Sequence, residues 1–247
     1  MKIVFTFLAG LMLAAPGRAQ VSPLHCWVGH IHSSIPVFLW LVEKDSVFKG
    51  QVVYTRTKQK TPITLLGQRF ADQRGIRICE YQPDGSITGI YDFENLASAT
   101  AGTWFSPTTR KDLDFTLVSK DTLLTAPDTG FQPDQPIEGT YGYSYGAKGP
   151  QGSINIKRVD AHRISFEIGC HTGAPAYNLA NVGRDTVALV NNSFIYKLDG
   201  SEHCVFRVSF YKHFLTIQYI DGYGDCGGYF GINASVDGIF YKLTPQK

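Results

Sequence analysis

The sequence predicts an all-β protein built from two antiparallel β-meander units. Helical periodicity is almost absent, whereas short runs of alternating, β-branched or aromatic residues recur along the whole chain. Gly, Asp, Asn and Pro separate these runs, as expected of tight turns. The composition, 43% hydrophobic and 18% charged, is that of a folded globular protein rather than of a disordered chain.

Each half of the chain contains a series of segments with the composition of strands. In the first half these are Val37–Val42, Gln51–Arg56, Thr61–Leu66, Ile76–Tyr81, Ile87–Phe93, Ala101–Phe105 and Phe115–Val118. In the second half they are Gly139–Tyr145, Ser153–Arg158, Arg163–Ile168, Thr186–Leu189, Phe194–Leu198, Val205–Tyr211, Phe214–Ile220 and Ile239–Leu243. Because the links between them are short, we expect antiparallel pairing throughout. Pro83-Asp84-Gly85 and Leu198-Asp199-Gly200 are typical hairpin turns.

Residues 1–19 have the features of a signal peptide. Lys2 precedes an apolar run that is too short to span a membrane. Gly17 and Ala19 are the small residues expected before a cleavage site, which we place ahead of Gln20. We therefore expect a secreted or periplasmic protein with no membrane span.

The rest of the chain divides into an N-terminal β domain, residues 20–120, and a C-terminal β domain, residues 137–247. The linker between them, residues 121–136, is rich in proline and predicts either a linker or a strap over the surface. Gly-aromatic strands such as Thr88-Gly89-Ile90-Tyr91 and Gly238-Ile239-Phe240-Tyr241 indicate a weak internal repeat. Each unit could be a small barrel or a sandwich, and the sequence leaves both open.

The charge distribution argues against nucleic-acid and membrane-surface partners. The chain has 23 basic and 21 acidic residues, and two of the basic ones lie in the predicted signal peptide. No run of Lys or Arg is present to neutralise phosphates.

Five cysteines lie outside the predicted signal peptide, which in an exported protein makes disulfides the default expectation. Cys204 and Cys226 flank two neighbouring strand segments, so we predict that they form a disulfide. The pairing of Cys26, Cys79 and Cys170 stays open, because spacing does not determine connectivity.

Segments in both halves of the chain resemble those of exported bacterial proteins. The segments VGHIHSSIPVFLWL, FKGQVVY, ITLLG, SITGIYDF, AGTW and FTL resemble β-meander domains of exported bacterial proteins of unknown function. The segments CVFRVSFY and LTIQYIDGYGDCGGYFGINASVDGIFYKL resemble the C-terminal β-domain of exported envelope proteins, some of them grouped with bacterial lysozyme inhibitors. The resemblance implies a non-catalytic binding role in the envelope or the secretome.

Two motifs match well-known catalytic or cofactor patterns without their structural context. Gly142-Tyr143-Ser144-Tyr145-Gly146 fits a nucleophile elbow, but a predicted strand follows where that motif requires a helix. Gly222-Tyr223-Gly224-Asp225-Cys226-Gly227 fits a dinucleotide fingerprint but lacks the βαβ unit. We expect neither a catalytic serine nor a bound cofactor.

Histidines near the N-terminus could in principle bind a metal ion, since His30 and His32 have the spacing of one strand face. We instead expect them, with His25 and Cys26, to lie on an exposed N-terminal strand, and predict no metal site. Carboxylate pairs, Asp92 with Glu94 or Asp221 with Asp225, leave open a hydrolase that acts on sugars.

The segment from Tyr219 to Phe230 is the predicted ligand-binding loop. It combines glycines with aromatic and acidic side chains, a composition that suits recognition of a glycan or of an envelope or secreted protein. The candidate ligand-binding residues are Tyr219, Asp221, Tyr223, Asp225, Tyr229 and Phe230. Packing of the tyrosines into a core is the alternative. We predict a non-enzymatic binding protein, with a secreted sugar hydrolase or a lysozyme-inhibitor-like protein as alternatives.

Overall fold

The computed structural model describes residues 24–69, 75–97, 99–120, 131–133, 135–220 and 226–244, which form sixteen antiparallel strands in two sheets. The predicted all-β fold of two antiparallel meanders is confirmed. In the described part of the chain, no helix has the length and apolar character needed to cross a lipid bilayer. The predicted signal peptide lies outside the described residues.

The first sheet is a closed barrel of eight strands, each paired with its neighbours in sequence. Its strands are β1 (Leu24–Ile31), β2 (Ile35–Lys44), β3 (Val47–Tyr54), β4 (Ile63–Arg69), β5 (Ile76–Tyr81), β6 (Ile87–Phe93), β7 (Ala99–Ser106) and β8 (Lys111–Ser119). Pairing of β1 with β8 closes the barrel and removes its exposed edges. We call this unit the first barrel.

The second sheet also has eight strands but is not closed by hydrogen bonds. Its strands are β9 (Gly139–Ser144), β10 (Gln151–Arg158), β11 (Arg163–His171), β12 (Leu179–Ala188), β13 (Ser193–Lys197), β14 (Val205–Tyr211), β15 (Phe214–Tyr219) and β16 (Gly238–Lys242). Their order is β12-β11-β10-β9-β16-β15-β14-β13, so one short connection joins the two edge strands. Phe166 of β11 contacts Phe194 of β13, with ring centroids 4.9 Å apart. The sheet is therefore curved, and we call it the second barrel.

Side-chain alternation gives each barrel its own core and leaves an apolar outer face on the first. In β2, Leu39 and Leu41 pack inside the first barrel, whereas Trp40 and Val42 belong to a third apolar cluster outside it. Phe166 and Phe240 are among the aromatic side chains that fill the second barrel. The interior of each barrel is thus occupied by its own side chains.

The third cluster forms the interface between the barrels. Tyr81 of β5 is buried there, donates a hydrogen bond to the carbonyl of Ile239 at 2.9 Å, and stacks on Tyr241 at 5.9 Å. The backbone N–H of Ser144 donates to the carbonyl of Gly85 at 3.0 Å, which links the β5–β6 turn to the end of β9. The two barrels therefore pack directly against each other.

Two strand predictions were wrong or incomplete. β1 was expected to be an exposed N-terminal strand, yet it pairs with both β2 and β8 and buries Trp27 and Ile31. His25 is half-buried against Trp27, and this burial lowers the pKa of His25. β12 begins at Leu179 rather than at the predicted Thr186. Its first half contains polar residues, which an edge strand tolerates but which gave no strand pattern in the sequence.

The predicted disulfide is present: Cys204 and Cys226 are bonded. The other three cysteines, Cys26, Cys79 and Cys170, are free and buried. Both predicted hairpin turns contain a glycine in the left-handed region, Gly85 with φ of 81° and Gly200 with φ of 74°.

The first barrel requires close backbone approach at Gly50 of β3. A Cβ atom added there would lie 1.8 Å from the carbonyl oxygen of Trp40 in β2. We expect Gly50→Ala to lower the free energy of unfolding by about 1–3 kcal/mol, because the β2–β3 ladder must distort. Denaturant unfolding followed by circular dichroism measures this.

Gly183→Ala is the matched control, since an added Cβ in β12 meets no heavy atom within 4 Å. We expect it to change stability by less than about 0.5 kcal/mol, or to stabilise slightly. Equal losses for the two variants would contradict close packing at Gly50.

Candidate functional site

A cleft of about 830 Å³ opens beside the interface between the barrels. The first barrel contributes residues of the β2–β3 turn, β4 and β5, and the second contributes residues of β9, β11, β15, β16 and the segment before β16. The polar and aromatic residues lining it are Ser46, Gln68, Arg69, Arg77, Tyr81, Tyr143, Tyr145, His171, Thr172, Gln218, Tyr219, Asn233, Ser235 and Asp237. Its volume falls in the range of about 300–1,000 Å³ common for ligand sites.

The wall from the first barrel carries two arginines whose charges are already compensated. Arg69 donates two hydrogen bonds to Glu43, at 2.7 and 2.8 Å, and its guanidinium lies 5.2 Å from the ring centre of Phe48. Arg77 makes the same two-bond contact with Asp92, at 2.8 Å for each bond. These side chains give the wall rigid donors without adding uncompensated charge.

Gln68 lies opposite Arg77 in the β4–β5 ladder, so the two side chains share one face. The Oε1 atom of Gln68 is buried and accepts no hydrogen bond from any described residue. A buried acceptor without a donor costs free energy, of the order of 1–3 kcal/mol. Gln68 lines the cleft, but its buried Oε1 atom can meet a donor of a ligand only when the side chain turns toward the cleft.

The wall from the second barrel contains the buried carboxylate of Asp237, which immediately precedes β16. Its Oδ1 atom is enclosed and has no hydrogen-bond partner among the described residues, while Ser235 provides a side-chain hydrogen bond to the carboxyl group. Burial is the main cause of the raised pKa of Asp237. Its charge also acts on Tyr143 and Cys170, so these groups lie near it.

Aromatic and thiol groups separate the two walls. Tyr143 and Tyr145 contact each other edge to face, with ring centroids 5.8 Å apart. The hydroxyl group of Tyr145 lies 3.9 Å from the Sγ atom of Cys79. Burial raises the pKa of Cys79 and that of Cys170 to about 12, so both thiols stay protonated at neutral pH. These thiols are packing groups rather than nucleophiles.

The three predicted ligand-binding residues that the structure describes, Tyr219, Tyr229 and Phe230, do not share one site. Tyr219 lines the cleft, and its hydroxyl accepts a hydrogen bond from the backbone of Val236 at 3.2 Å. Tyr229 is exposed and donates to the carbonyl of Gly200 at 3.1 Å, whereas Phe230 packs against the core of the second barrel. The remaining three candidates, Asp221, Tyr223 and Asp225, lie outside the described residues.

Gln68 and Asp237 were not among the residues predicted to bind a ligand. Asp237 stands in Val236-Asp237-Gly238, which has the composition of an ordinary turn before a strand. Gln68 ends an apolar strand segment and looks like a solvated residue. Their importance depends on the packing of one barrel against the other, and no local pattern carries that information.

Of the two alternative carboxylate pairs, Asp92 and Glu94 do not line this cleft, and Asp221 and Asp225 lie outside the described residues. Asp92 is held by Arg77, and Glu94 is exposed after the end of β6. Ser144 ends β9 and leads through a turn into β10. Within the described ranges, no group of three or more His, Cys, Asp or Glu side chains has the arrangement of a metal site.

A second buried carboxylate, Glu80, lies inside the first barrel and is fully hydrogen-bonded. Tyr54 and Trp104 donate to its Oε1 atom at 2.5 and 3.2 Å, and Thr88 donates to Oε2 at 3.1 Å. Gly89 leaves the space that these groups occupy, because a Cβ there would lie 2.6 Å from the Glu80 carboxyl carbon. This cluster is satisfied from within and acts as a structural element of the first barrel.

Comparison with known proteins finds no match, neither to any family model nor to any curated protein. Any function proposed for this protein therefore rests on the geometry of the cleft.

The raised pKa of Asp237 makes stability depend on pH. Between the ordinary aspartate pKa and the raised one, the native state binds more protons than the unfolded state, so stability falls as pH rises. We expect Asp237→Asn to melt at a higher temperature than the wild type at pH 7. The difference should shrink as pH falls through the raised pKa. Thermal melts from pH 7 to pH 4 measure this.

Asp112→Asn, at an exposed position of β8, controls for the loss of one carboxylate. A lower melting temperature for Asp237→Asn at pH 7 would mean that the ionised carboxylate stabilises the native state, which contradicts this account.

Proposed function

We propose that the protein is an exported, non-enzymatic binding protein that holds a glycan in the cleft between the two barrels. The observation that carries the proposal is the pair of buried acceptors without donors, Gln68 Oε1 and Asp237 Oδ1, one on each wall. Hydroxyl-rich ligands supply the donors that such a site lacks. The Cys204–Cys226 disulfide is compatible with an oxidising compartment.

The aromatic lining supports a glycan over a purely apolar ligand. Tyr143, Tyr145 and Tyr219 offer flat apolar faces that bear hydroxyl groups, and sugar rings have both apolar faces and polar edges. The paired guanidiniums of Arg69 and Arg77 add donors for ligand oxygens. The cleft thus offers donors, acceptors and aromatic faces at once.

We expect one carbohydrate class to raise the melting temperature of the full chain. The probes are tetrasaccharides of glucose, N-acetylglucosamine and glucosamine with defined linkages, together with lysozyme as a protein probe. A ligand at about 100 times its Kd adds roughly 2.7 kcal/mol of stability, which shifts the melt by several degrees. Chromatography of the same mixtures should show no shortened sugar.

Gln68→Ala should weaken binding of the active carbohydrate about three- to tenfold, as expected for one lost hydrogen bond. Gln51→Ala is the matched control, since Gln51 is also a half-buried glutamine but does not line the cleft. A shift with lysozyme alone would favour the inhibitor-like alternative, and release of shortened sugars would favour the hydrolase. No shift with any carbohydrate would overturn the proposal.

A further inference from the structure

We propose that the ligand of the cleft carries a positively charged amino group, which binds the carboxylate of Asp237. This inference rests on the proposed function and narrows it to glycans that contain a free amine, such as deacetylated hexosamines. It follows from the charges around Asp237 rather than from the size of the cleft.

The carboxyl group of Asp237 is incompletely hydrogen-bonded. Ser235 and the backbone N–H of Asp237 itself each provide a hydrogen bond to it, and the Oδ1 atom is buried with no partner among the described residues. A buried carboxylate without a compensating charge is strongly unfavourable, and an ammonium group is the donor that also neutralises it. A hydroxyl group would satisfy the hydrogen bond but leave the charge.

Two arginines of the first barrel already line the cleft. The basic side chains of Arg69 and Arg77 line the cleft, but each is bound through two hydrogen bonds to its own carboxylate, Glu43 and Asp92 respectively. Their charges are therefore balanced before any ligand arrives. The carboxylate of Asp237 is the acidic group among the lining residues, and no described basic side chain is paired with it.

Two neutral groups lie near Asp237. Its charge acts on Tyr143 and Cys170, and burial raises the pKa of both groups and so keeps them neutral. Tyr143 and Tyr219 also line the cleft, and aromatic rings attract cations. The surroundings of Asp237 thus favour a cation over a neutral or anionic group.

The test compares two probes that differ in the amine alone, the β-1,4-linked tetramer of glucosamine and its fully N-acetylated counterpart. Calorimetry with the full chain near pH 6 gives both affinities. We expect the amine-bearing tetramer to bind at least about tenfold more tightly, as a charge-assisted hydrogen bond in a buried site requires.

Asp237→Asn should remove this preference by weakening the glucosamine tetramer about tenfold or more, so that the two tetramers bind the variant with similar affinities. Asp112→Asn removes the same charge from an exposed strand and should leave both affinities unchanged. A cooperative melt of Asp237→Asn at or above the wild-type temperature confirms that this variant is folded.

The outcomes separate this inference from the proposed function. If both tetramers bind equally and Gln68→Ala weakens both, the preference for an amino group is contradicted, whereas the glycan site is supported. Glucosamine binding that Asp237→Asn does not weaken would overturn the assignment of Asp237. Binding of neither tetramer would overturn the inference, and the glycan site would fail with it if the neutral glucose tetrasaccharides also failed to bind.

Discussion

The position of one barrel relative to the other depends on aromatic packing at their interface, with Tyr81 linking the two. Its ring is buried against Tyr241, and its hydroxyl group is satisfied by the carbonyl of Ile239. Because the phenol has a partner, a polar atom can be buried there without penalty. The distances across the cleft depend on this interface, since the cleft walls belong to different barrels. The packed interface therefore fixes how the two walls are placed relative to each other.

The interface also explains which strands could be predicted from sequence. β5 and β6 were predicted with the bounds that the structure has, because isoleucine and aromatic residues recur within each short segment. In β5 this reflects burial on both faces, with Ile78 inside the barrel and Cys79 at the interface. The burial of β1 was missed because its histidines and glycine interrupt the apolar pattern, although closure of the barrel buries Trp27. Tertiary context thus overrode local composition at the strand that closes the barrel.

The site was less predictable than the fold, for a physical reason. Tyr219 was identified by composition and does line the cleft, but Tyr229 and Phe230 face elsewhere. Gln68 and Asp237 are more than 160 residues apart in sequence, and each looks like an ordinary surface residue in its own segment. Each has a buried oxygen atom without a hydrogen-bond partner, as Tyr91 and Glu138 also have in the described part of the chain, but of these four only Gln68 and Asp237 line the cleft. That combination depends on the packing of the two barrels and has no local sequence signal.

The shape of the two barrels favours a site between them rather than inside either one. Apolar and aromatic side chains occupy both interiors, and inside the first barrel the one buried carboxylate among its described core contacts, Glu80, is satisfied by Tyr54, Trp104 and Thr88. Outer surfaces of barrels are convex, so two of them touch over a limited strip and diverge beside it. Side chains at the edge of that strip lose water without gaining full contact with the other barrel. Asp237 and Gln68 lie there, which explains why they are enclosed yet unpaired. Such groups lower stability in the free protein, and a ligand that supplies the missing donors recovers that free energy on binding.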